Sequence, residues 1–273
     1  MSQSFTENMS QSFTHKVQEY YDKDAATFKK RNAVNQTLQK IRSEFRKETE
    51  LFPAQSMLEI GYGPGFDIVY FAAKYPERKV CGIDISPDMQ KVARAQVEES
   101  QLNNVQLEVG TLADIERLFA GQKFDAIVVY FGALNTESLI DNAEAVFHKM
   151  LNENGIMLLT IVNKWFLLGV LKPLLKFRFK IAFKRFRKVW GGYSLTKFLP
   201  SKCYSSRQVR NFFTGSTLIH RRGFSILFPA WYENHLTLKY PKLCNWLWKA
   251  DLLLQKTPFW NLGEYALYVF KKK

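Results

Sequence analysis

The chain has 273 residues and a net charge of +14, with 47% hydrophobic and 15% aromatic residues. That is enough apolar material for one substantial core and fits a single α/β domain with additions. Three cysteines (Cys81, Cys203, Cys244) at no metal-ligand spacing exclude a disulfide framework and read as reduced structural thiols in a cytoplasmic protein. The strongest apolar run, Trp165 to Leu171, falls short of the about 20 residues a membrane-crossing helix needs, which excludes an integral membrane protein.

The chain opens on a repeat, Met1 to Thr6 recurring as Met9 to Thr14. This polar, uncapped duplication predicts a mobile leader over residues 1–16. Residues 17–50 read as helices. Met57 to Ile60 is then a short apolar run of the kind that forms a buried strand, and Gly61-Tyr62-Gly63-Pro64-Gly65 turns the chain before Asp67 to Lys74 resumes at helical spacing. Glycines there can take positive φ and let a ligand lie against the backbone. A second apolar strand, Val80 to Ile85, carries Asp84 near its end, where a carboxylate can accept both hydroxyls of a ribose.

The dinucleotide fingerprint requires G-x-G-x-x-G, whereas these glycines sit at 61, 63 and 65 with Glu59 ahead of them. That spacing, with Asp84 and Ser86-Pro87-Asp88-Met89, resembles the class I S-adenosylmethionine-dependent methyltransferases of the small-molecule type. The resemblance implies S-adenosylmethionine as cofactor, with the glycine loop under its methionine part and Asp84 on its ribose. Glu59, Gly61, Gly63, Gly65 and Asp84 are thus the expected cofactor-binding residues, with Ile85 and Met89 flanking the adenine. Gln106 to Ile115 looks like the third strand and its adenine loop, with Leu112 offering a backbone amide and Asp114 a candidate for the adenine amine; Thr111 stands where the family often has an acid. Phe124 to Tyr130 resembles strand 4, Gly155 to Ile161 strand 5, and Phe224 to Phe228 and Tyr265 to Phe270 strands 6 and 7. Tyr20 to Phe28 resembles the family's N-terminal cap helix, from which Tyr21 (or Tyr20) closes over the cofactor.

The implied fold is α/β: a Rossmann-like seven-stranded, mostly parallel sheet with an antiparallel last strand, helices on both faces, and a basic helical lid inserted between strands 5 and 6. The expected division is a leader (1–16), cap helices (17–50), cofactor-binding core (51–163), basic aromatic insertion (164–222), and strands 6 and 7 with an inserted helix (223–273).

Charge concentrates in that insertion. Between Asn154 and Tyr232 there are 15 Lys and Arg and no Asp or Glu, so the remainder is nearly neutral. Residues 171–190 place Leu171, Leu175, Phe179, Phe183, Phe186 and Trp190 on one side of a helix and Lys172, Lys176, Lys180, Lys184 and Arg187 largely opposite. A strand reading also alternates, but the length and Pro173 in a first turn favour one long helix ended by Gly191-Gly192. Such a helix suits an anionic membrane surface, where each basic residue gains about 1 kcal/mol. It equally suits an RNA backbone, or a lid whose charges are merely solvated. Beyond it, Ser205 is an N-cap candidate for a short helix, and the aromatics Trp231, Tyr232, Tyr240, Trp246 and Trp248 suit an apolar substrate pocket.

Methyl transfer needs an aligned acceptor about 3–3.5 Å from the methyl carbon, and a base only when the acceptor must lose a proton. His235, in the aromatic insertion, is the expected base. Tyr130 and Asn135, after strand 4, are expected to touch donor or acceptor. No metal-ligand constellation is present in the sequence, no cysteine is placed for cytosine C5 chemistry, and Tyr130-Phe131-Gly132-Ala133 stands where aminomethylating relatives carry Asp/Asn-Pro-Pro-Tyr/Phe. The expectation is O-, C- or N-methylation of a hydrophobic or lipid-like small molecule. An RNA methyltransferase using residues 164–222, or a catalytically silent partner subunit that retains the cofactor, are the alternatives. Oligomeric state is not legible.

Overall fold

The computed structural model describes residues 2–138, 140–193 and 197–273, with side chains from residue 12 onward. Two helices come first, α1 (Ser2–Ala33) and α2 (Gln36–Glu50), the second capped by the Asn35 side chain accepting from the Leu38 amide. The sheet then begins: β1 (Ser56–Ile60), α3 (Phe66–Lys74), β2 (Lys79–Asp84), α4 (Pro87–Glu99), β3 (Val105–Val109), α5 (Ile115–Leu118), β4 (Phe124–Val129), α6 (Ala143–Met150) and β5 (Leu151–Val162). An insertion follows, with α7 (Leu167–Leu174), α8 (Phe179–Ala182) and α9 (Ser206–Phe212), leading to β6 (Ser216–Phe224). Last come α10 (Asn234–Lys239), α11 (Pro241–Leu254) and β7 (Tyr265–Lys272).

The strands form one sheet in the order β3-β2-β1-β4-β5-β7-β6, parallel except for β7, which runs antiparallel between β5 and β6. Adjacent apolar residues go to opposite faces, as strand geometry requires. Leu58, Cys81, Ile127 and Leu159 pack toward Phe147 of α6 and Val209 of α9. Met57, Val80, Val128 and Leu158 pack toward Ile41 and Phe45 of α2, Ile68 and Phe71 of α3, and Ala93 of α4. The strand order reverses between β1 and β4, so a crevice opens at their carboxyl ends, the place where open α/β sheets bind ligands.

Several expectations change in detail. The leader expected over 1–16 is continuous with the cap helix: α1 runs from Ser2 to Ala33, while Met1 lies outside the described residues. Strand 6 occupies Ser216–Phe224 rather than the Phe224–Phe228 run; the latter instead turns over Asp251, whose carboxylate accepts from the amides of Ile226, Leu227 and Phe228. The long helix expected over 171–190 is broken into α7, α8 and a single 3-10 turn at Lys184–Phe186. Pro173 and the turn it helps close account for the break: the Arg178 amide bonds back to the Pro173 carbonyl, and Phe177 takes φ +54°. Ser205 does cap α9, in a box with Gln208.

The glycine turn is built for close approach. Gly61 has φ +73° and a Cβ there would lie 2.6 Å from the Cβ of Ala133; at Gly65, φ +85°, it would lie 2.9 Å from the Cβ of Ala93. Gly61→Ala therefore combines a disfavoured backbone with a clash, and should destabilise the fold by about 1–3 kcal/mol, read as a lower urea midpoint. An unchanged midpoint would show that the turn does not need this glycine.

Candidate functional site

A cleft of about 1580 Å³, counted out to its open mouth, lies over the carboxyl ends of β1, β2 and β4. The glycine turn forms its floor. The Gly61 amide bonds to the Ile83 carbonyl at 2.7 Å, which pins β1 to β2, and the Gly63 amide donates to Asp84 Oδ2 at 2.7 Å. Asp84 Oδ1 accepts from the Ser86 amide at 2.9 Å. Burial raises the Asp84 carboxyl to about 6, with the Ser86 and Gly63 amides pulling it back. Each carboxylate oxygen has a second acceptor site, so Asp84 can hold the loop and still accept hydroxyls. At Gly63 a Cβ would meet nothing, because that side is the cleft itself.

Glu59 lies at the head of the turn, buried and lining the same cleft, and its Oε2 has no hydrogen-bond partner. Burial, then the neighbouring Asp67, push its carboxyl well above the usual range, against Arg42 and Arg46. Asp67 itself is occupied: Arg42 and Arg46 both donate to it, tying α2 to the start of α3. Among the described residues at this end, Glu59 Oε2 is a buried acceptor without a partner, and a ligand ammonium would satisfy it.

The wall opposite the floor comes from α1. Thr14, Val17, Tyr21, Asp24, Phe28 and Arg31 all line the cleft, at the i, i+3, i+4 spacing of one helix face. Asp22, on the same helix, accepts from Ser86 Oγ at 2.5 Å and so ties α1 to the end of β2. Ile85, Met89 and Leu112 also line the cleft, as does Tyr20.

Other expected residues are placed differently. Asp114 is not among the cleft-lining residues: its Oδ2 accepts from the Thr111 amide and hydroxyl and its Oδ1 from Arg117, so it caps the turn ahead of α5. His235 is exposed on α10 and lies outside the lining, so the structure does not bring it to the site. Tyr130 lines the cleft, but its hydroxyl is 2.5 Å from Thr49 Oγ1 and its ring stacks on Phe45. Asn135 reaches the lining too, yet its amide donates to the Val162 and Lys202 carbonyls and accepts from the Val162 amide. Both are better described as struts that hold the end of β4 than as reacting groups.

The far end of the cleft is aromatic. Phe131, Trp190, Tyr193, Trp231 and Tyr265 line it with Val162 and Leu199. Tyr193 packs edge-on to Trp190 (centroids 4.5 Å) and Trp231 (4.9 Å), and its hydroxyl lies 3.4 Å from that of Tyr265. Behind them Arg185 is buried against Phe166 and Trp190, donates to the Asn163 carbonyl and pairs with Glu264. Arg185 is thus the root that fixes the insertion to the sheet.

One residue of the site escaped sequence reasoning. Glu137, just after the turn that follows β4, lines the cleft, and its carboxylate has no hydrogen-bond or ion-pair partner among the described residues. Burial alone raises it to about 7. Nothing local in Asn135-Thr136-Glu137-Ser138 marks it; only the fold shows that this loop turns inward.

Residues 57–155 match the family described as a methyltransferase domain. The chain is 30% identical over 132 residues to the demethylmenaquinone methyltransferase of Listeria monocytogenes, covering 46% of this chain and 54% of that one. It is 28% identical over 92 residues to the tRNA (guanine-N(7)-)-methyltransferase of Clostridium acetobutylicum, covering 34% and 41%. The fold is similar to that of a S-adenosylmethionine-dependent methyltransferase from Clostridium acetobutylicum, with a TM-score of 0.55 at 12% identity over 84% of this chain and 90% of that one. The chain thus has a class I, Rossmann-like α/β fold with a methyltransferase domain over residues 57–155, for which S-adenosylmethionine is the implied cofactor. The unpartnered Glu59 oxygen, the open face of Gly63 and the spare acceptor sites of Asp84 fit that cofactor's ammonium, backbone approach and ribose.

Proposed function

We propose that the chain transfers a methyl group to a hydrophobic or lipid-like small molecule. The observation that carries this reading is the aromatic part of the cleft, which shares one cavity with the glycine floor and with Glu137, a carboxylate that has no partner among the described residues. S-adenosylmethionine, when bound, supplies a methyl group already activated on a sulfonium. The protein's part is then alignment and proton handling. Glu59, Gly63 and Asp84 hold the donor against the floor, with Tyr21 and the rest of the α1 face over it. Phe131, Trp190, Tyr193, Trp231 and Tyr265 form a slot for an apolar acceptor, excluding water and fixing its orientation. Glu137 takes the proton that an acceptor hydroxyl, amine or acidic carbon loses, then releases it to solvent. The O-, C- or N-methylation chemistry is common to all three.

The test is methyl-labelled S-adenosylmethionine with enzyme and source-cell extract, separated into organic and aqueous phases. Enzyme-dependent label is expected in the organic phase. Label confined to the aqueous phase would remove the lipid-like acceptor, and its loss on nuclease treatment would establish RNA as the acceptor. No transfer to any fraction, with cofactor binding intact, would leave a silent partner subunit.

A further inference from the structure

The α7–α8 segment presents a surface that the cleft does not use. α7 has no buried residue, although its sequence is Leu-Leu-Gly-Val-Leu-Lys-Pro-Leu. Leu167 and Leu171 on it, and Leu175 just past its end, recur every four residues and are all exposed. The turn into α8 continues that surface: every residue from Leu175 to Ile181 is exposed, with Leu175 at 81% and Phe177 at 82%. Phe179 and Phe183 follow, also exposed. Apolar patches of this kind on a protein surface mark a partner.

Charge selects the partner. Lys176, Arg178 and Lys180 alternate with Leu175, Phe177, Phe179 and Ile181, and Arg187 and Lys188 follow, all exposed. No acidic partner is recorded for these five among the described residues, whereas Lys172 pairs with Glu233 at 2.6 Å and Arg185 with Glu264. A second copy of the chain docked through the same face would set this cationic surface against itself, at an electrostatic cost. RNA would match the charge, and Phe177, Phe179 and Phe183 could stack on bases, but Leu167, Leu171, Leu175 and Ile181 would then stay in water beside them. Aliphatic and aromatic side chains interleaved with cations fit a layer that is anionic outside and hydrocarbon within.

We propose that residues 167–188 dock the protein on an anionic lipid membrane, with the Leu175–Ile181 turn entering the interface and the flanking lysines and arginines on the headgroups. The segment's root reaches the active cleft, since Trp190 at its end lines the cleft wall. Docking would bring the cleft to an apolar acceptor dissolved in the bilayer. The docking claim does not depend on methyl transfer, because binding is read without turnover.

The experiment is sedimentation of the full chain with extruded vesicles of phosphatidylcholine alone or mixed with phosphatidylglycerol. Binding is expected to the mixed vesicles only, and to weaken as salt rises. Phe177→Glu/Phe179→Glu and Lys176→Glu/Arg178→Glu should each weaken it about tenfold or more. All four residues lie outside the cleft lining, so S-adenosylmethionine affinity should be unchanged in both variants and reports an intact fold. Absence of binding to anionic vesicles, or equal binding by wild type and both variants, would overturn the proposal. So would a wild-type dimer that Phe177→Glu/Phe179→Glu dissociates, or single-stranded RNA binding lost in the charge variant while vesicle binding persists.

Discussion

Asp84→Ala is expected to weaken S-adenosylmethionine binding about a hundredfold, measured by calorimetric titration. Two contributions add. The carboxylate's hydrogen bonds to the ribose hydroxyls go, each charged bond being worth about 1.5–3 kcal/mol. The Gly63 amide, which donates to Asp84 Oδ2, also loses its anchor, so the floor of the cleft is no longer held against β2. Asp84→Asn separates the two: an amide can still accept at one oxygen but removes the charge, so about a tenfold loss is expected. Loss within twofold for the alanine variant would remove Asp84 from the cofactor site. The change should also cost some global stability, because the Gly63 and Ser86 amides lose their acceptor, an effect partly offset by removal of a buried carboxyl that burial holds at about 6. Its folded value lies above the ordinary carboxylate range, so ionising it works against the fold. The unliganded protein should lose stability as pH rises from that range through about 6, and the alanine variant should lose less.

The glycine floor of the cleft is legible in sequence because it is built from neighbouring residues. Glu59, the three glycines and Asp84 sit at strand ends whose positions the apolar runs define, and the sheet then fixes their juxtaposition. The aromatic part is assembled from distant pieces: Phe131 after β4, Trp190 and Tyr193 from the insertion, Trp231 ahead of α10, and Tyr265 at the start of β7. No local period joins these, so the density of aromatics points to Trp231, Tyr232, Tyr240, Trp246 and Trp248, of which only Trp231 lines the cleft. His235 illustrates the consequence: it lies four residues from Trp231, yet the helical turn of α10 carries it to solvent. The α1 face was readable in part. Thr14, Val17, Tyr21, Asp24, Phe28 and Arg31 keep one helical stripe across the boundary at residue 16, but the polar repeat ahead of it obscured the continuity. In the insertion, helical period and strand alternation competed over 171–190, and Pro173 followed by the Phe177 turn resolved them into neither long element.

Glu137→Gln should lower the rate of methyl transfer about 10²–10⁴-fold, the range a proton acceptor contributes, while leaving S-adenosylmethionine affinity within twofold. The pH dependence identifies the cause. With wild type, kcat for label transfer into the organic phase should rise with pH through about 7, where burial places this carboxyl; in Glu137→Gln that limb should vanish. Stability should move the other way. Because the folded value is raised above the ordinary carboxylate value, the folded state binds the proton more tightly than the unfolded chain, and wild-type stability falls as pH rises toward and through about 7. The amide carries no such penalty, so Glu137→Gln should be more stable than wild type at pH 8, by on the order of 1 kcal/mol after allowance for partial solvent screening. A variant that gains stability while losing rate has lost a reacting group rather than a structural one. Equal rates in the two proteins at pH 8 would leave the proton to the acceptor itself, and the aromatic slot would then act by alignment alone.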